Sequence, residues 1–572
     1  INTWTNMWGA DNVGRVNNQN WLINTQDKFD TTIQEYFDND ASANAQLLYG
    51  DISTWGPFTN VTDMSKAFYQ KASFNNNIGN WNVSNVTNMN SMFFGTKAFN
   101  KDISAWNTEN VTNMFAMFSG ASSFNNSGLD LSWNVSNVRY MVAMFADASN
   151  FNSYIGNWDT GNVETMRALF YNAKSFNQDL SYWDTRNVKN MFAMFQDASS
   201  FNNLGQDLSW NVSSVISMQS MFQGASSFNS DIGNWDVSNV TFMNSMFENA
   251  TSFDQDLSAW DISKAANLGN ISNMFAGATA LASQEYDSSC FNILKGWIDK
   301  GYITNINTWT NMWGADNVGR VNNQNWLINT QDKFDTTIQE YFDNDASANA
   351  QLLYGDISTW GPFTNVTDMQ EKFVNKTSFN EDLSLWDVSN VTSMYAMFAF
   401  ASNFDRNIGN WDTGNVTNMA FMFYAATEFN QDISYWDSGN VRDMAGMFEY
   451  ASNFNNGDQD LSWNVSNVTN MYAMFKDAPT FDSDIGNWNT VSCKSFERMF
   501  LGAKAFNKDI SAWNTENVTN MKFTFYLTEQ FNNGDQDLSW NVSNVTNMYG
   551  MFATSIFNSN IGNWNTINCK DM

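Results

Sequence analysis

The tryptophans of this 572-residue chain recur at an almost fixed interval, which constrains the fold more than any other feature. Steps of 24 to 27 residues, mostly 25, separate the members of two series, Trp55, Trp81, Trp106, Trp133, Trp158, Trp183, Trp210, Trp235 and Trp260, then Trp360, Trp386, Trp411, Trp436, Trp463, Trp488, Trp513, Trp540 and Trp564. Such a period is typical of stacked-repeat proteins, because a single repeat cannot bury its own apolar face. The sequence therefore predicts two stacks of coils.

A longer repeat divides the chain into units. Residues 1–64 recur without a change at 306–369, so one unit of 305 residues is followed by most of a second. We predict a helical N-terminal cap, a first array of nine coils, a helical junction with a second cap, and a second array of nine coils with an incomplete last one, at residues 1–48, 49–280, 281–353 and 354–572. Ile1 and an end inside a repeat phrase favour a piece of a longer protein.

The residue pattern of each coil predicts a strand, a turn and a helix. In "FNKDISAWNTENVTNMFAMFSGASSF", residues 103–108 fit a short strand. The apolar residues then follow one helical face at Val111, Met114, Met117, Phe118, Ala121 and Phe124. The predicted fold is an α/β solenoid of strand-turn-helix coils, with a parallel sheet along one side.

An amide or acid follows the last phenylalanine of nearly every coil. Its side chain can bind backbone groups where one coil turns into the next, so we predict an internal ladder along each stack. In the first array the ladder is Asn75, Asn100, Asn125, Asn152, Asn177, Asn202, Asn229 and Asp254. In the second it is Asn380, Asp405, Asn430, Asn455, Asp482, Asn507, Asn532 and Asn558.

Two amphipathic segments outside the coils predict helices that cover the ends of the arrays. Phe291, Leu294, Trp297 and Ile298 share one helical face, with Ser288 or Ser289 as the cap and Gly301 as the stop. Phe334, Ile338, Tyr341 and Phe342 share another, and residues 29–37 repeat it. An open stack exposes apolar surface and unpaired backbone, so a cover is needed.

Composition excludes several classes of function. A net charge of −31 argues against nucleic acid and anionic membranes as partners. There is no histidine, and three scattered cysteines give no zinc site, so we predict no catalytic, cofactor or metal residues. No apolar run is long enough to span a bilayer. The Met columns, such as Met114 and Met141, are at core spacing. Calcium is a weak candidate at "GDQD" (457–460 and 534–537).

N-glycosylation sequons recur at two places in the coil. One set directly follows a tryptophan, at Asn82, Asn134, Asn211, Asn464 and Asn541. The other lies four residues after a tryptophan, at Asn85, Asn110, Asn239, Asn390, Asn415, Asn467, Asn517 and Asn544. Turns also favour Asn, Ser and Thr for structural reasons, so both interpretations stay open.

The phrases "FNQDISYWDSGNVRDMAGMFEYASNFN" (429–455) and "FNSDIGNWDVSNVTFMNSMFENATSF" (228–253) closely resemble the repeats of BspA-type leucine-rich-repeat surface proteins, also known as the mycoplasma lipoprotein-associated repeat. The resemblance covers residues 49–280 and 354–572. It implies a solenoid related to leucine-rich repeats and exposed at a cell surface, with a role in adhesion or surface structure and no enzymatic activity. The family supplies no fixed ligand-binding residues.

Two functions follow as expectations. The first is an extracellular, secreted structural protein, a stiff glycosylated rod that builds or decorates a fibre or sheath by association with copies of itself. The alternative is a surface adhesin that binds a protein or glycan through one face. An exposed aromatic cluster off the core register would favour the adhesin, and the sequence shows none clearly. An enzyme is disfavoured because candidate carboxylate pairs recur with the repeat.

Overall fold

The computed structural model describes residues 23–38, 49–282, 288–314, 328–343, 352–361 and 363–572. The chain forms two compact units, residues 1–324 and 325–572. Residues 1–22 and 39–48 of the predicted N-terminal cap lie outside the described part, as do 283–287, 315–327, 344–351 and 362 elsewhere in the chain.

Helices in the described part lie mostly at the ends of the arrays. They are α1 (Gln26–Asp38), α2 (Ser263–Asn267), α3 (Ser289–Asp299), α4 (Ile306–Trp313) and α5 (Gln331–Asp343). Short 3₁₀ turns span Ile52–Thr54, Asn126–Gly128, Asn203–Gly205, Ile357–Thr359, Asn456–Asp458 and Asn533–Asp535. The two segments with predicted helical faces are helical, and Ser288 caps α3 by accepting a hydrogen bond from the Phe291 N–H.

Coils stack in register through single-residue parallel β-bridges. In unit 1 the bridges join Asp63, Asn88, Asn113, Tyr140, Thr165, Asn190, Ser217 and Phe242 in sequence. In unit 2 they join Asp368, Ser393, Asn418, Asp443 and Asn470, and then Ser495, Asn520, Asn547 and Asp571. Among the described residues these bridges are isolated, and no extended strand forms.

The seven residues after each of these bridge positions except Asp571, together with residues 271–277 at the end of unit 1, form what we call the turn ribbons. The ribbons are residues 64–70, 89–95, 114–120, 141–147, 166–172, 191–197, 218–224, 243–249 and 271–277 in unit 1, and 369–375, 394–400, 419–425, 444–450, 471–477, 496–502, 521–527 and 548–554 in unit 2. In ribbon 89–95 the first, third, fifth and seventh N–H groups each donate to a carbonyl of the following coil, at 2.7–2.9 Å. Ribbon 394–400 repeats the pattern. Within the ribbon these bonds therefore point in one direction along the stack.

Left-handed residues explain why the ribbon is not a helix. The third and seventh residues of every ribbon have φ between 49° and 74°. An α-helix needs right-handed φ throughout and N–H groups that donate four residues back, whereas these donate to the next coil. The predicted α/β solenoid of strand-turn-helix coils is therefore wrong, both for the helix after Val111 and for the strand at residues 103–108.

Three-residue turns inside the ribbon account for the helix-like spacing. The N–H of Met92 donates to the Met89 carbonyl, and that of Phe94 to the Ser91 carbonyl, both at 3.2 Å. Side chains three residues apart thus reach the same side of the coil, as they also do on a helix. The apolar pattern predicts the buried face correctly and the backbone incorrectly.

The core of each unit consists of columns of identical side chains. Consecutive tryptophans from Trp106 to Trp260 stack with ring centroids 6.0–6.4 Å apart. A phenylalanine column runs beside them, with Phe93–Phe118 at 5.2 Å and Phe118–Phe145 at 5.6 Å. Met114 and Met141 are fully buried, so their predicted core role is confirmed.

Each column tryptophan after the first of its array also ties its coil to the preceding one. The Trp106 indole N–H donates to the Ile78 carbonyl at 3.1 Å, and Trp183 repeats this with Ile155 at 3.0 Å. Tryptophan combines a large stacking face with an edge donor, which a buried position requires to be satisfied. This double role explains why the residue marks the repeat so regularly.

The array starts are covered by matching helices. In unit 2, the Gln331 side chain at the start of α5 donates to the Asp368 carbonyl at 2.8 Å and accepts from the Thr367 and Asp368 N–H groups. Phe334 of α5 packs edge-on against Phe363, with centroids 5.2 Å apart. Gln26 of α1 makes the equivalent hydrogen bonds in unit 1. The helix therefore satisfies backbone groups and covers apolar surface together.

Candidate interaction surfaces

Five aromatic side chains gather on the ribbon surface of unit 2. We call this set the aromatic patch; its members are Tyr395, Phe400, Phe421, Tyr424 and Tyr450. Ring centroids are 5.9 Å apart for Tyr395–Phe421 and for Phe421–Tyr424, 5.0 Å for Phe400–Tyr424 and 5.5 Å for Tyr424–Tyr450. Phe400 is 45% exposed and Tyr450 37%. The patch is thus a contiguous, partly solvent-accessible aromatic surface outside the core columns.

An ion pair between Lys476 and Glu449 borders this patch. The Lys476 ammonium lies 4.5 Å from the Tyr450 ring centroid and donates to the Tyr450 hydroxyl and to the Glu449 carboxylate, both at 2.7 Å. Burial lowers the pKa of Lys476, but the hydrogen bonds to Glu449 and Tyr450 outweigh burial and raise the pKa above its usual range. Burial, together with the charge of Glu449, raises the pKa of Tyr424. Lys476 therefore holds its charge and fixes the Tyr450 ring.

The ribbon geometry brings the patch together. Phe421 is the third residue of its ribbon, and a Cβ at Gly446, the same position one coil later, would overlap its ring. The pair Phe523 and Gly550 repeats the arrangement beside Tyr549. The sequence shows aromatic residues off the core register but not that those of neighbouring coils meet, so sequence reasoning missed the patch. The phenylalanine-to-glycine pairs one coil apart are the signal that would have found it.

Exposed aromatics of unit 1 are more scattered. Tyr69 stacks on Phe94 with centroids 4.9 Å apart, while Phe115, Tyr140 and Phe242 are each more than 40% exposed. The five-ring patch is thus a feature of unit 2, although both units have the same coil.

The predicted ladder residues meet from coil to coil. Asn100 Oδ1 accepts the Asn125 N–H at 2.9 Å, and Asn152 Oδ1 accepts the Asn177 N–H at 2.9 Å. In unit 2, Asp405 Oδ1 accepts the Asn430 N–H at 3.0 Å. A carboxylate therefore replaces the amide without changing the bond, because only an acceptor is needed.

Every sequon asparagine predicted above is exposed, and the two sets differ in geometry. In the set that directly follows tryptophan, the side-chain oxygen accepts the N–H two residues later, as Asn134 does from Ser136 at 3.0 Å. In the other set, apart from Asn390, the amide nitrogen donates to a carbonyl of the preceding coil, as Asn110 does to Ser84 at 2.8 Å. Glycans attach to that nitrogen, so the first set leaves it better placed for a sugar.

Metal-binding geometry is weak in the part of the chain that the structure describes. No group of three or more His, Cys, Asp or Glu side chains there has an arrangement suited to a metal ion. In the first "GDQD" loop, Asp458 Oδ1 accepts a hydrogen bond from Asn455 at 2.8 Å, and Asp535 repeats this with Asn532. One carboxylate oxygen of the first aspartate in each loop is thus engaged within the loop.

No helix in the described ranges is long and apolar enough to cross a bilayer.

Stacked coils and the recurring ladder define a tandem-repeat protein. The chain belongs to the family described as "Mycoplasma protein of unknown function, DUF285", whose model matches residues 31–132, 127–208, 203–289, 336–460, 456–554 and 534–572. No curated protein matches the chain. The family agrees with the mycoplasma-repeat part of the resemblance given above and does not extend to the leucine-rich-repeat name.

Proposed function

We propose that this chain is a non-enzymatic, extracellular structural repeat protein that builds or decorates a surface fibre by head-to-tail association of its units. The observation that carries the proposal is the one-way hydrogen bonding of the ribbons, illustrated by donors in 89–95 and acceptors in the next coil. A stack built this way has one ribbon end rich in N–H groups and another rich in carbonyls.

Ends of opposite character favour heterologous contacts, in which the end of one unit meets the start of another. Such contacts generate open filaments when the rotation between subunits does not close a ring. The covers on the array ends, such as α5 with Gln331, then regulate which ends meet. The exact repetition of residues 1–64 at 306–369 supports the proposal, because identical segments give repeated geometry.

Electron microscopy of the purified full chain tests this proposal. We expect continuous fibres whose axial repeat corresponds to the 305-residue unit. Separate particles at every concentration and ionic strength tried would contradict it.

An adhesin is the second candidate, and the aromatic patch is the observation that favours it. Contiguous exposed aromatic surface marks interaction sites, and tyrosine is enriched at them. On this alternative the patch, with Lys476 at its edge, stacks on a surface glycan or packs on a protein.

Binding of the full chain to arrayed glycans and to cell surfaces tests the adhesin. Tyr450→Ala together with Phe400→Ala should reduce binding at least tenfold, by about 1.4 kcal/mol or more. Tyr435→Ala is the matched control, since Tyr435 is 85% exposed and lies outside the patch. Equal binding by the patch variant and the Tyr435→Ala control would exclude the aromatic patch as the binding surface.

Glycosylation belongs to the same proposal. We expect sugars mainly on the sequons that directly follow tryptophan, such as Asn134 and Asn464. Peptide mass spectrometry of the native protein checks this, and occupancy confined to Asn110 and its equivalents would contradict it.

A further inference from the structure

The ribbon end of unit 1 is closed by α4. In the last ribbon of that unit, the N–H groups of Asn273 and Phe275 point along the stack as in every earlier coil. They donate to the carbonyls of Asn311 and Met312 in the last turn of α4, at 2.8 and 2.7 Å. The helix thus takes the place that a further coil would occupy.

The C-terminal end of α4 and the ribbon end of unit 1 carry complementary partial charges. The last carbonyls of an α-helix lack intrahelical partners and carry the negative end of the helix dipole. The ribbon end offers N–H groups that lack a following coil. Hydrogen bonds between the ribbon N–H groups and the helix carbonyls satisfy both sets of groups, without any ionised side chain.

Apolar packing accompanies these bonds. Trp309, Met312 and Trp313 are at most 1% exposed. The Trp313 ring centroid lies 5.4 Å from that of Phe275, the final ring of the phenylalanine column. Gly314 ends the helix at φ 68°, where a Cβ would lie 3.1 Å from Asn273 Oδ1. We call the surface formed by Asn273, Phe275 and Ala276 the end seat.

The same eight letters that fill the end seat occur again in the chain. α4 reads "INTWTNMW", and residues 1–8 are identical, with Gly9 corresponding to Gly314. We propose that the end seat accepts residues 1–8 of a second copy of this chain in exchange for α4, which links copies head to tail. This exchange rests on the proposed head-to-tail association and identifies the contact that joins one copy to the next.

Exchange of identical segments is an economical route to assembly, because every contact in the exchanged state already exists in the closed one. The α4 helix of the same chain, which we call the cis segment, competes for the end seat at a high effective concentration. The exchange is therefore easiest to detect when the binding of α4 to the seat is weakened.

The first test vacates the seat in the full chain. Trp309→Ala with Trp313→Ala leaves residues 1–8 intact, and we expect its mass in sedimentation equilibrium to rise about twofold or more above the monomer. Adding Trp4→Ala and Trp8→Ala to the same chain should return it to the monomer. Association that is equal in both chains, or absent from both while the stacked tryptophans keep their near-ultraviolet circular dichroism, would overturn the proposal.

A second variant avoids truncating the core. Gly314→Val strains a left-handed residue and crowds Asn273, so it weakens only the cis segment. It should associate like the first variant, and Gly9→Val in the same chain should abolish the association. If both cis variants unfold, a fluorescent peptide of residues 1–9 mixed with the wild-type chain decides. Binding no stronger than that of the peptide with Trp4→Ala and Trp8→Ala rejects the seat.

Failure of this inference differs from failure of the proposed function. Wild-type fibres that persist in Trp4→Ala/Trp8→Ala reject the end seat and leave the structural role standing. Seat-dependent association without fibres in any wild-type preparation keeps the seat and rejects the fibre.

Discussion

Asn177 shows how one amide connects neighbouring coils. Its N–H donates to Asn152 Oδ1, and its own Oδ1 accepts from the N–H groups of Asn202 and Leu204, at 2.9 and 3.1 Å. A side chain of this length bridges the coil spacing and satisfies backbone that would otherwise be unpaired. The sequence predicted this role because the residue recurs at one place in the period.

Asn177→Ala should destabilise unit 1 by about 1–3 kcal/mol, since it leaves two N–H groups without acceptors. Asn177→Asp is the matched control and should cost much less, since Asp405 accepts a coil-to-coil N–H at another ladder position, in unit 2. Urea unfolding followed by tryptophan fluorescence measures both. A loss from Asp as large as the loss from Ala would contradict the acceptor role.

Asp254 should make stability depend on pH. Burial raises the pKa of Asp254, so the charged form is disfavoured in the fold and neutral pH costs stability. Asp254→Asn should therefore stabilise by about 0.5 kcal/mol at pH 7, allowing for screening by solvent. The gain should vanish as pH falls through the folded pKa, where the wild-type carboxyl is neutral.

Asp236→Asn is the opposite control for that pH experiment. The hydrogen bond from Ser238 lowers the pKa of Asp236, so its contribution to stability is present at neutral pH and disappears in acid. Asn should thus be destabilising at pH 7 and neutral at low pH. Thermal melts from pH 3 to pH 7 measure the difference in melting temperature between each variant and the wild type. This difference should rise with pH for Asp254→Asn and fall with pH for Asp236→Asn.

At the scale of the element, the turn ribbon is where sequence and structure diverge. Periodicity identified the buried residues, the ladder and the covering helices, because each depends on where a side chain lies. It could not identify the backbone, because turns that bond three residues back present the same face as a helix. Glycine or Asx at the seventh ribbon position, as in Gly120 and Asn172, was the signal for left-handed residues.

Glu371→Val tests the ribbon backbone directly. Glu371 is exposed and has φ 57°, a region that β-branched residues strongly avoid, so we expect a loss of about 1–3 kcal/mol. Gln370→Val, one residue earlier, is exposed and lacks the positive φ, and it should change stability little. Chemical denaturation compares them. An α-helix would tolerate both substitutions almost equally, and that outcome would reject the ribbon.

At the scale of the whole molecule, the net charge determines how stability depends on salt. A net charge of −31 on 572 residues repels itself, and no described acidic cluster is arranged to bind a metal ion. Such repulsion weakens as salt shortens the Debye length to about 10 Å at 0.1 M.

Raising sodium chloride from 20 to 200 mM, which shortens the Debye length from about 21 to about 7 Å, should increase the melting temperature. Calcium chloride at matched ionic strength should add nothing further. A specific gain with calcium that Asp458→Asn and Asp535→Asn remove would instead establish the "GDQD" loops as calcium sites.

The one-way bonds of the ribbon also set how the molecule yields to tension. Bonds that point along a stack are loaded directly when its ends are pulled apart, so coils should peel off singly rather than shear together. Each 25-residue coil would release about 85 Å of extended chain. A fibre of such coils would therefore lengthen under load one coil at a time, before any covalent bond is strained.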